Sequence, residues 1–298
     1  MTHVLTVISH TDSLDQSIAS KFFSEWKVTV TSEKTLSSRA TDYFTDLTPQ
    51  DVERISNLIK DEITKDTKID IILQSVETRT KKLVVFDMDS TLIYQEVIEL
   101  IAAYANIEDK VAEITERAMN GELDFNQSLY ERVKLLKGIN STKIWDELKT
   151  KIQITEGVPK LCKFLVSQGF VLAVCSGGFI QLANYIKETL QLNYAHANVL
   201  GVDDNGVLDG TVIGEIVNGD KKAELLLEIS KKHNIDNNST LAIGDGANDL
   251  KMMSVANFGI AWNAKPKVQK LAPSKLNSNT LSDVLYILGY TDEEINRV

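Results

Sequence analysis

Three short apolar runs of this 298-residue chain each end abruptly in acidic, hydroxyl or glycine residues. They read LVVFD from Leu83, FVLAVCSGG from Phe170 and STLAIGDGAND from Ser239. Runs without polar alternation are typical of strands buried on both faces, and amphipathic helical stretches separate them. The pattern predicts an α/β fold: a Rossmann-like parallel sheet with helices on both faces and a ligand site beyond the carboxyl ends of its strands.

The first two strand ends are too far apart for a simple crossover. Asp87 and Ser176 lie 89 positions apart (176 − 87), whereas a β-α-β unit needs about 30 residues. The surplus, at about 95–156, contains four helical patterns, and Gly121 and Gly138 stand where helices would end. We therefore predict an inserted helical cap. The segment ANVLGVDDNGVLDGTVIGEIV predicts a β-hairpin that turns at 204–206.

The first eighty residues predict a separate α+β unit. Strand patterns lie in HVLTVIS, KVTVTSEKTL, ATDYFTDL and KIDIILQSV. One helix follows the first strand, and a second begins at Thr48 as N-cap with Pro49 in its first turn. The β-α-β-β-α-β order is ferredoxin-like. We therefore expect a small domain at 1–80 and a larger one at 81–298, joined by the basic stretch 78–82.

Composition excludes several classes of function. The formal net charge is −10, so no global field attracts nucleic acid or an anionic membrane. Two cysteines, Cys162 and Cys175, cannot form a disulfide framework and fit a reducing compartment. The N-terminus lacks the features of a secretory signal, and no segment is long and apolar enough to span a bilayer. We expect a cytoplasmic protein.

The chemistry centres on Asp87 and Asp89 in the stretch DMDSTL, directly after the first apolar run. Residues two apart in a tight turn project to the same side, so both carboxylates can face one substrate. A carboxylate can attack phosphorus to form an aspartyl phosphate, and a second carboxyl can protonate the leaving group. An acidic turn that only caps the next helix is the alternative, and the pair alone does not decide between them.

Three further elements favour phosphoryl chemistry. Ser176 with Gly177 and Gly178 can form a phosphate cradle from a hydroxyl and backbone amides. A lysine near the start of the NGDKKAELLLE helix can neutralise charge, and Lys222 has Lys221 as an adjacent rival. The third element is GDGAND, in which two aspartates supply hard oxygen ligands suited to Mg²⁺.

These elements, in this order, resemble the motifs of the haloacid dehalogenase superfamily: DxDxT, a strand-end Ser or Thr, a Lys, and GDxxxD. Across about 83–270 the chain is similar to the phosphoserine phosphatases within that superfamily, through FDMDST, a following Glu96, FNQSLYERV, SGGF and GDGANDL. The resemblance implies a Mg²⁺-dependent hydrolysis of O-phospho-L-serine, the final step of serine biosynthesis.

The resemblance also assigns roles to individual residues. The nucleophile is Asp87, the acid and base is Asp89, and Ser176 and Lys222 assist catalysis. The Mg²⁺ ligands are Asp87, the Asp89 main-chain carbonyl and Asp245, with Asp249 behind them. Substrate contacts are assigned to Glu96 for the ammonium, Arg132 for the carboxylate, Met119 and Phe125 as apolar cap contacts, and Ser176, Gly177, Gly178, Lys222 and Asn248.

Several alternatives stay open at this level. A phosphatase for phosphohomoserine, phosphoglycolate or another small phosphomonoester would share the core motifs. A receiver-like phosphorylation switch also uses an aspartate, a hydroxyl, a lysine and Mg²⁺, although it carries neither a large cap nor a second acid at the position of Asp89. The N-terminal unit could be an ACT-like amino-acid-binding module, a sensor that dominates the protein, or a scaffold without ligand. A homodimer is one open state of assembly.

Overall fold

A computed structural model describes residues 1–62 and 68–298. The N-terminal elements follow the predicted order: β1 (Thr2–Ser9), α1 (Gln16–Glu25), β2 (Ser32–Thr35), β3 (Ala40–Asp46), α2 (Pro49–Glu62) and β4 (Ile69–Ser75). They form a four-stranded sheet in the order β2-β3-β1-β4, with every neighbouring pair antiparallel. The β-α-β-β-α-β prediction is therefore confirmed.

One strand of this unit is shorter than the sequence predicts. The pattern KVTVTSEKTL predicts extension from residue 27, but β2 begins at Ser32. The backbone amides of Lys27 and Val28 instead donate to carbonyls of the last turn of α1, and Lys27 has φ of +54°. These bonds complete the C-terminus of the helix, which prevents the same residues from starting a strand.

The larger unit carries the remaining elements. In chain order they are β5 (Leu83–Phe86), α3 (Val97–Ala105), α4 (Glu108–Met119), α5 (Phe125–Lys134), α6 (Ser141–Lys151), α7 (Val158–Ser167), β6 (Val171–Phe179), α8 (Ile180–Leu190), β7 (Tyr194–Val202), β8 (Leu208–Ile213), α9 (Gly219–Lys232), β9 (Thr240–Gly244), α10 (Leu250–Val255), β10 (Phe258–Trp262), α11 (Pro266–Leu271), β11 (Ser274–Leu276), α12 (Val284–Ile287) and α13 (Asp292–Ile295). Their sheet has the order β11-β10-β9-β5-β6-β7-β8 and is parallel except for β8.

The central strand β5 shows why the apolar runs lack alternation. Leu83 and Val85 pack on one face of the sheet with α9, α10 and α11, whereas Val84 and Phe86 pack on the other with the cap and α7. Successive side chains of a strand point to opposite faces, and here both faces are covered. The three strands β9, β5 and β6 are adjacent, so their polar carboxyl ends meet at one edge.

The four cap helices α3, α4, α5 and α6 match the four predicted helical patterns. A capping box between Asp124 and Gln127 begins α5, and the side chain of Asn140 caps α6. Gly121 follows the end of α4 with φ of +80°, as expected of a helix-terminating glycine. Gly138 also has a positive φ but lies three residues beyond the C-cap of α5, in a turn. The β7–β8 hairpin turns at 204–206, as predicted.

The N-terminal sheet packs against the larger unit with the face that α1 and α2 leave open. Ile8 and Ile72 on this face join the same apolar cluster as Leu285 and Ile287 of the C-terminal segment. The contact also carries two ion pairs, Arg39 with Asp283 and Arg79 with Asp42. Within the described parts of the chain, no helix combines the length and the apolar character needed to cross a bilayer.

Candidate active site

The carboxyl ends of β9, β5 and β6 open into a cavity of about 180 Å³ that the cap covers. The residues that line it come from all three strand ends and from the cap: Asp87, Asp89, Glu96, Ile98, Phe125, Leu129, Arg132, Ser176, Gly177, Gly178, Phe179, Asp245, Gly246 and Asn248. Ten of the predicted site residues are in this set. Three are not: Lys222 and Asp249 are buried, whereas Met119 lies elsewhere on the cap.

Asp87 stands at the end of β5 with only 5% of its surface exposed. Its Oδ1 lies 2.7 Å from the Nζ of Lys222 and accepts the Met88 amide at 2.7 Å. Burial and the nearby Asp249 carboxylate raise the pKa of Asp87 well above its usual value, and Lys222 opposes that rise. The carboxyl group is thus held rigidly at the cavity wall, with its charge dependent on a single ammonium.

Lys222 projects from the first turn of α9, which Asn218 caps. It is fully buried, and its Nζ lies 2.7 Å from Asp87 and 2.7 Å from Asp249. Burial alone would lower the pKa of Lys222, but Asp249 and Asp87 together raise it, so the ammonium stays charged. Lys221 instead makes surface pairs with glutamates. The structure therefore selects Lys222 over its neighbour.

Asp89 is half-buried beside Glu96. Burial, followed by the Glu96 charge, raises the pKa of Asp89 to about 8. Its Oδ2 accepts the Val97 amide at 3.2 Å, while its Oδ1 has no hydrogen-bond partner among the described residues. A carboxyl that is protonated at neutral pH and has one free oxygen at the cavity wall is suited to donate a proton.

The phosphate loop, Ser176 to Gly178, lies at the end of β6. The Gly178 amide donates to the Ser176 Oγ at 2.8 Å, which leaves the hydroxyl proton free to point elsewhere. A Cβ on Gly177 would stand 2.8 Å from the Cζ of Phe125. A side chain at this position would push the Phe125 ring away from the loop, so glycine is favoured where the cap contacts the loop.

The second acidic pair lies after β9. Oxygens of Asp87, Asp245 and Asp249 lie within 4.8 Å of one another. Thr91 Oγ1 donates to Asp245 at 3.3 Å, and burial together with Asp249 raises the pKa of Asp245 to about 7. Within the described chain neither Asp245 nor Asp89 has a salt-bridge partner. A cluster of hard oxygen donors with excess negative charge fits a divalent cation.

Two charged residues of the cap region, Glu96 and Arg132, also line the cavity. Glu96 accepts a hydrogen bond of 2.6 Å from the Ser90 hydroxyl. Arg132 donates to Thr115 Oγ1 at 3.0 Å, and its Nε is buried without a partner among the described residues. Burial lowers the pKa of Arg132, with Glu96 opposing. A negatively charged and a positively charged side chain are therefore available to pair with a ligand that carries both an ammonium and a carboxylate.

Met119 lies outside this constellation. Its side chain is 74% exposed at the end of α4, and it lines a separate groove on the cap with residues such as Glu99 and Val111. An apolar contact from Met119 to a substrate requires the end of α4 to move toward the cavity. The role assigned to Met119 stays a prediction.

The sequence patterns do not identify two side chains that position site residues, Ser90 and Thr115. Ser90 has φ of +54°, a conformation costly for a non-glycine residue, and orients Glu96. Its place inside DMDSTL was a usable signal. Thr115 holds Arg132 from the neighbouring helix α4, and no local pattern marks it, because the contact depends on how α4 packs against α5.

Comparison with known proteins agrees with this geometry. A family model described as haloacid dehalogenase-like hydrolase matches residues 81–257. A phosphoserine phosphatase of Saccharomyces cerevisiae is 50% identical over 302 residues, which cover 98% of this chain and 97% of the relative. The chain belongs to the phosphoserine phosphatase family of haloacid dehalogenase-like hydrolases. The expected fold class is thereby confirmed along with the family.

Solved structures extend the similarity to three dimensions. A probable phosphoserine phosphatase from Vibrio cholerae, in unliganded form, superposes with a TM-score of 0.74 at 32% identity and covers 99% of this chain and 89% of its own. A structure described as a phospho-aspartyl intermediate analogue of phosphoserine phosphatase has a TM-score of 0.64 at 43% identity. It covers 70% of this chain and 98% of its own.

Proposed function

We propose that this enzyme hydrolyses O-phospho-L-serine to L-serine and phosphate, as the final step of serine biosynthesis. The observation that carries the proposal is one cavity lined both by phosphoryl-transfer groups and by two side chains of opposite charge, Glu96 and Arg132. Phosphoserine carries an ammonium and a carboxylate beside its phosphate. The names of the relatives point to the same substrate.

In the first step, a carboxylate oxygen of Asp87 attacks phosphorus and forms an aspartyl phosphate while the bond to the serine oxygen breaks. Asp89 donates its proton to that leaving oxygen. Its raised pKa, about 8, supports this role because the group is protonated before the step. The phospho-aspartyl analogue in a relative supports the covalent intermediate for the family.

In the second step, Asp89 is a carboxylate and removes a proton from water as the water attacks the phosphorus of the intermediate. The aspartyl oxygen leaves, Asp87 is regenerated and phosphate is released. Ser176 and the Gly177 amide donate to the equatorial phosphoryl oxygens, where most charge lies. Lys222 stabilises the charge of Asp87 through its buried ammonium. Gly178 and Asn248 are further polar residues that line the cavity.

We propose Mg²⁺ as the metal, held by Asp87, the Asp89 main-chain carbonyl and Asp245. When bound, it would neutralise part of the charge on the carboxylates and on the phosphate. Asp249 is the proposed supporting residue, because its Oδ1 accepts from Lys222 and its Oδ2 accepts the Gly246 amide. Both oxygens are therefore engaged in holding the wall of the metal site.

Specificity is assigned to the cap side of the cavity. Glu96 would pair with the substrate ammonium and Arg132 with the carboxylate through its guanidinium fork. Phe125 excludes water above the phosphate loop, and Met119 would join it if α4 closes further.

We also propose the division into 1–80 and 81–298, with the cap at about 95–156. In support, the N-terminal sheet has its own apolar cluster against α1 and α2. In addition, a solved phosphoserine phosphatase structure aligns over 98% of its own length but over only 70% of this chain. An ACT-like role for 1–80, a cytoplasmic location and a homodimer stay predictions.

A substrate panel tests the proposal. Phosphate release is measured for O-phosphoserine, for 3-phosphonooxypropanoate, which lacks the ammonium, for O-phosphoethanolamine, which lacks the carboxylate, and for phosphoglycolate. Each is assayed with Mg²⁺ and with a chelator. We expect the highest kcat/KM for phosphoserine, and we expect the chelator to remove activity.

Two variants make the panel sharper. Glu96→Gln should weaken phosphoserine hydrolysis but leave the ammonium-free ester almost unchanged, and Arg132→Lys should do the same with respect to the carboxylate. Equal kcat/KM for all four esters in the wild-type enzyme would contradict the proposed substrate, and sustained turnover would separate an enzyme from a phosphorylation switch.

A further inference from the structure

The phosphate loop is an irregularity in a strand. Strand β6 pairs with β7 at Cys175 with His196 and again at Phe179 with Asn198. Between these pairs β6 advances four residues and β7 only two (179 − 175 and 198 − 196). The two additional residues bulge out of the sheet, and this bulge presents Ser176, Gly177 and Gly178 to the cavity. A bulge of this kind leaves main-chain groups without ladder partners.

The side chain of Asn198 supplies the missing partner. It is fully buried, and its Nδ2 donates to the Gly177 carbonyl at 2.8 Å. Its Oδ1 accepts the Val217 amide at 2.8 Å. Because one partner is an acceptor and the other a donor, the orientation of the amide is fixed by its surroundings. Asn198 does not line the cavity.

The contact with the carbonyl reaches Ser176 through one rigid unit. The peptide between Gly177 and Gly178 is planar, so holding the Gly177 oxygen also fixes the direction of the Gly178 N–H. That N–H donates to the Ser176 Oγ at 2.8 Å and thereby sets where the hydroxyl proton can point. The orientation of the Gly178 amide and of the Ser176 hydroxyl therefore depends on the side chain of Asn198.

The other contact reaches the lysine. Val217 directly precedes Asn218, whose side chain accepts the Lys221 amide and whose carbonyl accepts the Lys222 amide at the start of α9. Asn198 thus joins the loop that faces the phosphate to the segment that carries the ammonium beneath Asp87. We propose that Asn198 is a positioning residue for phosphoryl transfer, which sets the distance between the phosphate loop and Lys222.

This inference rests on the proposed phosphoryl transfer but not on serine as the leaving group. Since the phosphate loop meets the part that all phosphate esters share, loss of its geometry should slow every substrate by the same factor. Substitution of Glu96 or Arg132 should instead change the ratio between substrates. The two kinds of effect are therefore distinguishable.

The test uses Asn198→Asp in the full chain. This change keeps the shape and the acceptor for Val217 but places a carboxylate oxygen against the Gly177 carbonyl. A displacement of the loop by about 1 Å is expected to lower kcat by roughly 10- to 100-fold. We expect the same factor for O-phosphoserine, 3-phosphonooxypropanoate and p-nitrophenyl phosphate, and weaker inhibition by inorganic phosphate.

Gln74→Glu is the matched control. Gln74 is also buried, and its amide donates to a main-chain carbonyl, that of Ile287, at 2.9 Å in the contact between the two units. The same amide-to-acid change there should lower the unfolding temperature without lowering kcat. If Asn198→Asp does not fold, Asn198→Ser replaces it in the test. This variant removes both contacts and leaves room for water, and we again expect kcat to fall by the same factor for all substrates.

Three results would overturn the inference: kcat within twofold of wild type in a folded Asn198 variant, a loss that tracks only the fraction unfolded, or a loss that differs between substrates. If the wild-type enzyme hydrolyses p-nitrophenyl phosphate but not phosphoserine, the proposed substrate is wrong. The positioning role of Asn198 is then still tested by kcat for p-nitrophenyl phosphate in the variant and the wild type.

Discussion

Two regions of this molecule bury charged clusters, and they do so in opposite ways. At the active site, Lys222 pairs with Asp87 and Asp249, while Asp89 and Asp245 have no salt-bridge partner in the described chain. At the contact between the N-terminal and larger units, Arg79 donates to both oxygens of Asp42 and also to Thr6 Oγ1 and the carbonyls of Tyr286 and Ile287. Arg39 and Asp283 form a similar two-bond pair.

The difference in how the buried charges are paired indicates a structural role for the contact between the units and a ligand-binding role for the active-site cluster. A buried pair whose hydrogen bonds are all made holds its elements in one arrangement, and removing one partner is costly. A cluster with surplus carboxylates and a free Asp89 oxygen is destabilised in the absence of ligands. Metal and substrate relieve that repulsion, as expected where function requires perturbed pKa values. Substitutions should therefore have opposite consequences for stability in the two regions.

The largest expected effect comes from Asp89→Asn. Phosphate release should fall by about 10²- to 10⁴-fold, because the general acid and base is lost. The unfolding temperature in chelator should rise by about 2–4 °C, because a carboxyl whose pKa is raised to about 8 must take up a proton on folding at neutral pH, which costs stability, and an amide need not. Kinetics and calorimetry on the same preparation measure both. Loss of activity together with a lower unfolding temperature would break the comparison.

Asp42→Asn should do the reverse. It leaves the Arg79 guanidinium buried without its carboxylate, so we expect the free energy of unfolding to fall by about 3–5 kcal/mol, with kcat unchanged. Asp46→Asn on the exposed end of the same strand is the matched control and should change stability by less than about 0.5 kcal/mol. Denaturant titration checks both. Equal stability of the two variants would show that the buried pair has no structural role.

Lys81 gives the next effect, in the linker between the units. Its buried ammonium donates to three neutral oxygens, those of Thr78, Asn238 and Asn257, and burial lowers its pKa to about 8. Between about pH 8 and 10.5 the unfolded state binds more protons than the folded state, so this group makes stability rise with pH.

Replacement by Lys81→Met should remove that contribution, which is at most about 1.4 kcal/mol per pH unit. Unfolding free energies at pH 7 to 10 for both proteins measure the difference in slope. Parallel curves would mean that Lys81 is not buried as described.

The smallest effect concerns Ser90. Ser90→Gly and Ser90→Ala both remove the hydroxyl that orients Glu96, so both should raise KM for phosphoserine by a similar factor. Only glycine relieves the positive φ, so Ser90→Gly should be more stable than Ser90→Ala by about 1 kcal/mol. Equal stability would contradict the strained backbone, and an unchanged KM would contradict the role of Ser90.

The sequence predicts the active-site edge far better than the contact between the units. Asp87, Ser176 and Asp245 each end a strand whose apolar run is visible locally, and adjacency of parallel strand ends brings them together. The four cap helices carry their own periodicity and caps. Arg79 appears in the sequence only as part of a basic stretch, because its partners lie at Asp42 and 207 positions onward at Tyr286.

Dependence on partners that are distant in the sequence also explains why the sequence does not identify Asn198, which contacts the phosphate loop. Asn198 is a polar residue inside an apolar strand, but its partners Gly177 and Val217 depend on the bulge in β6 and on the course of the chain after β8. Lys222 could not be separated from Lys221 by pattern. Burial on one side of α9 decides between them, and burial is a property of the packed molecule.

The central claim is that Asp87 carries the phosphoryl group covalently. Enzyme quenched in acid during turnover of phosphoserine, then digested and analysed by mass spectrometry, tests it directly. We predict one phosphoryl group on Asp87, within the peptide that contains residues 83–92, and neither label nor phosphate release in Asp87→Asn. Retained turnover in Asp87→Asn, or a phosphoryl group on any other residue, would contradict this account.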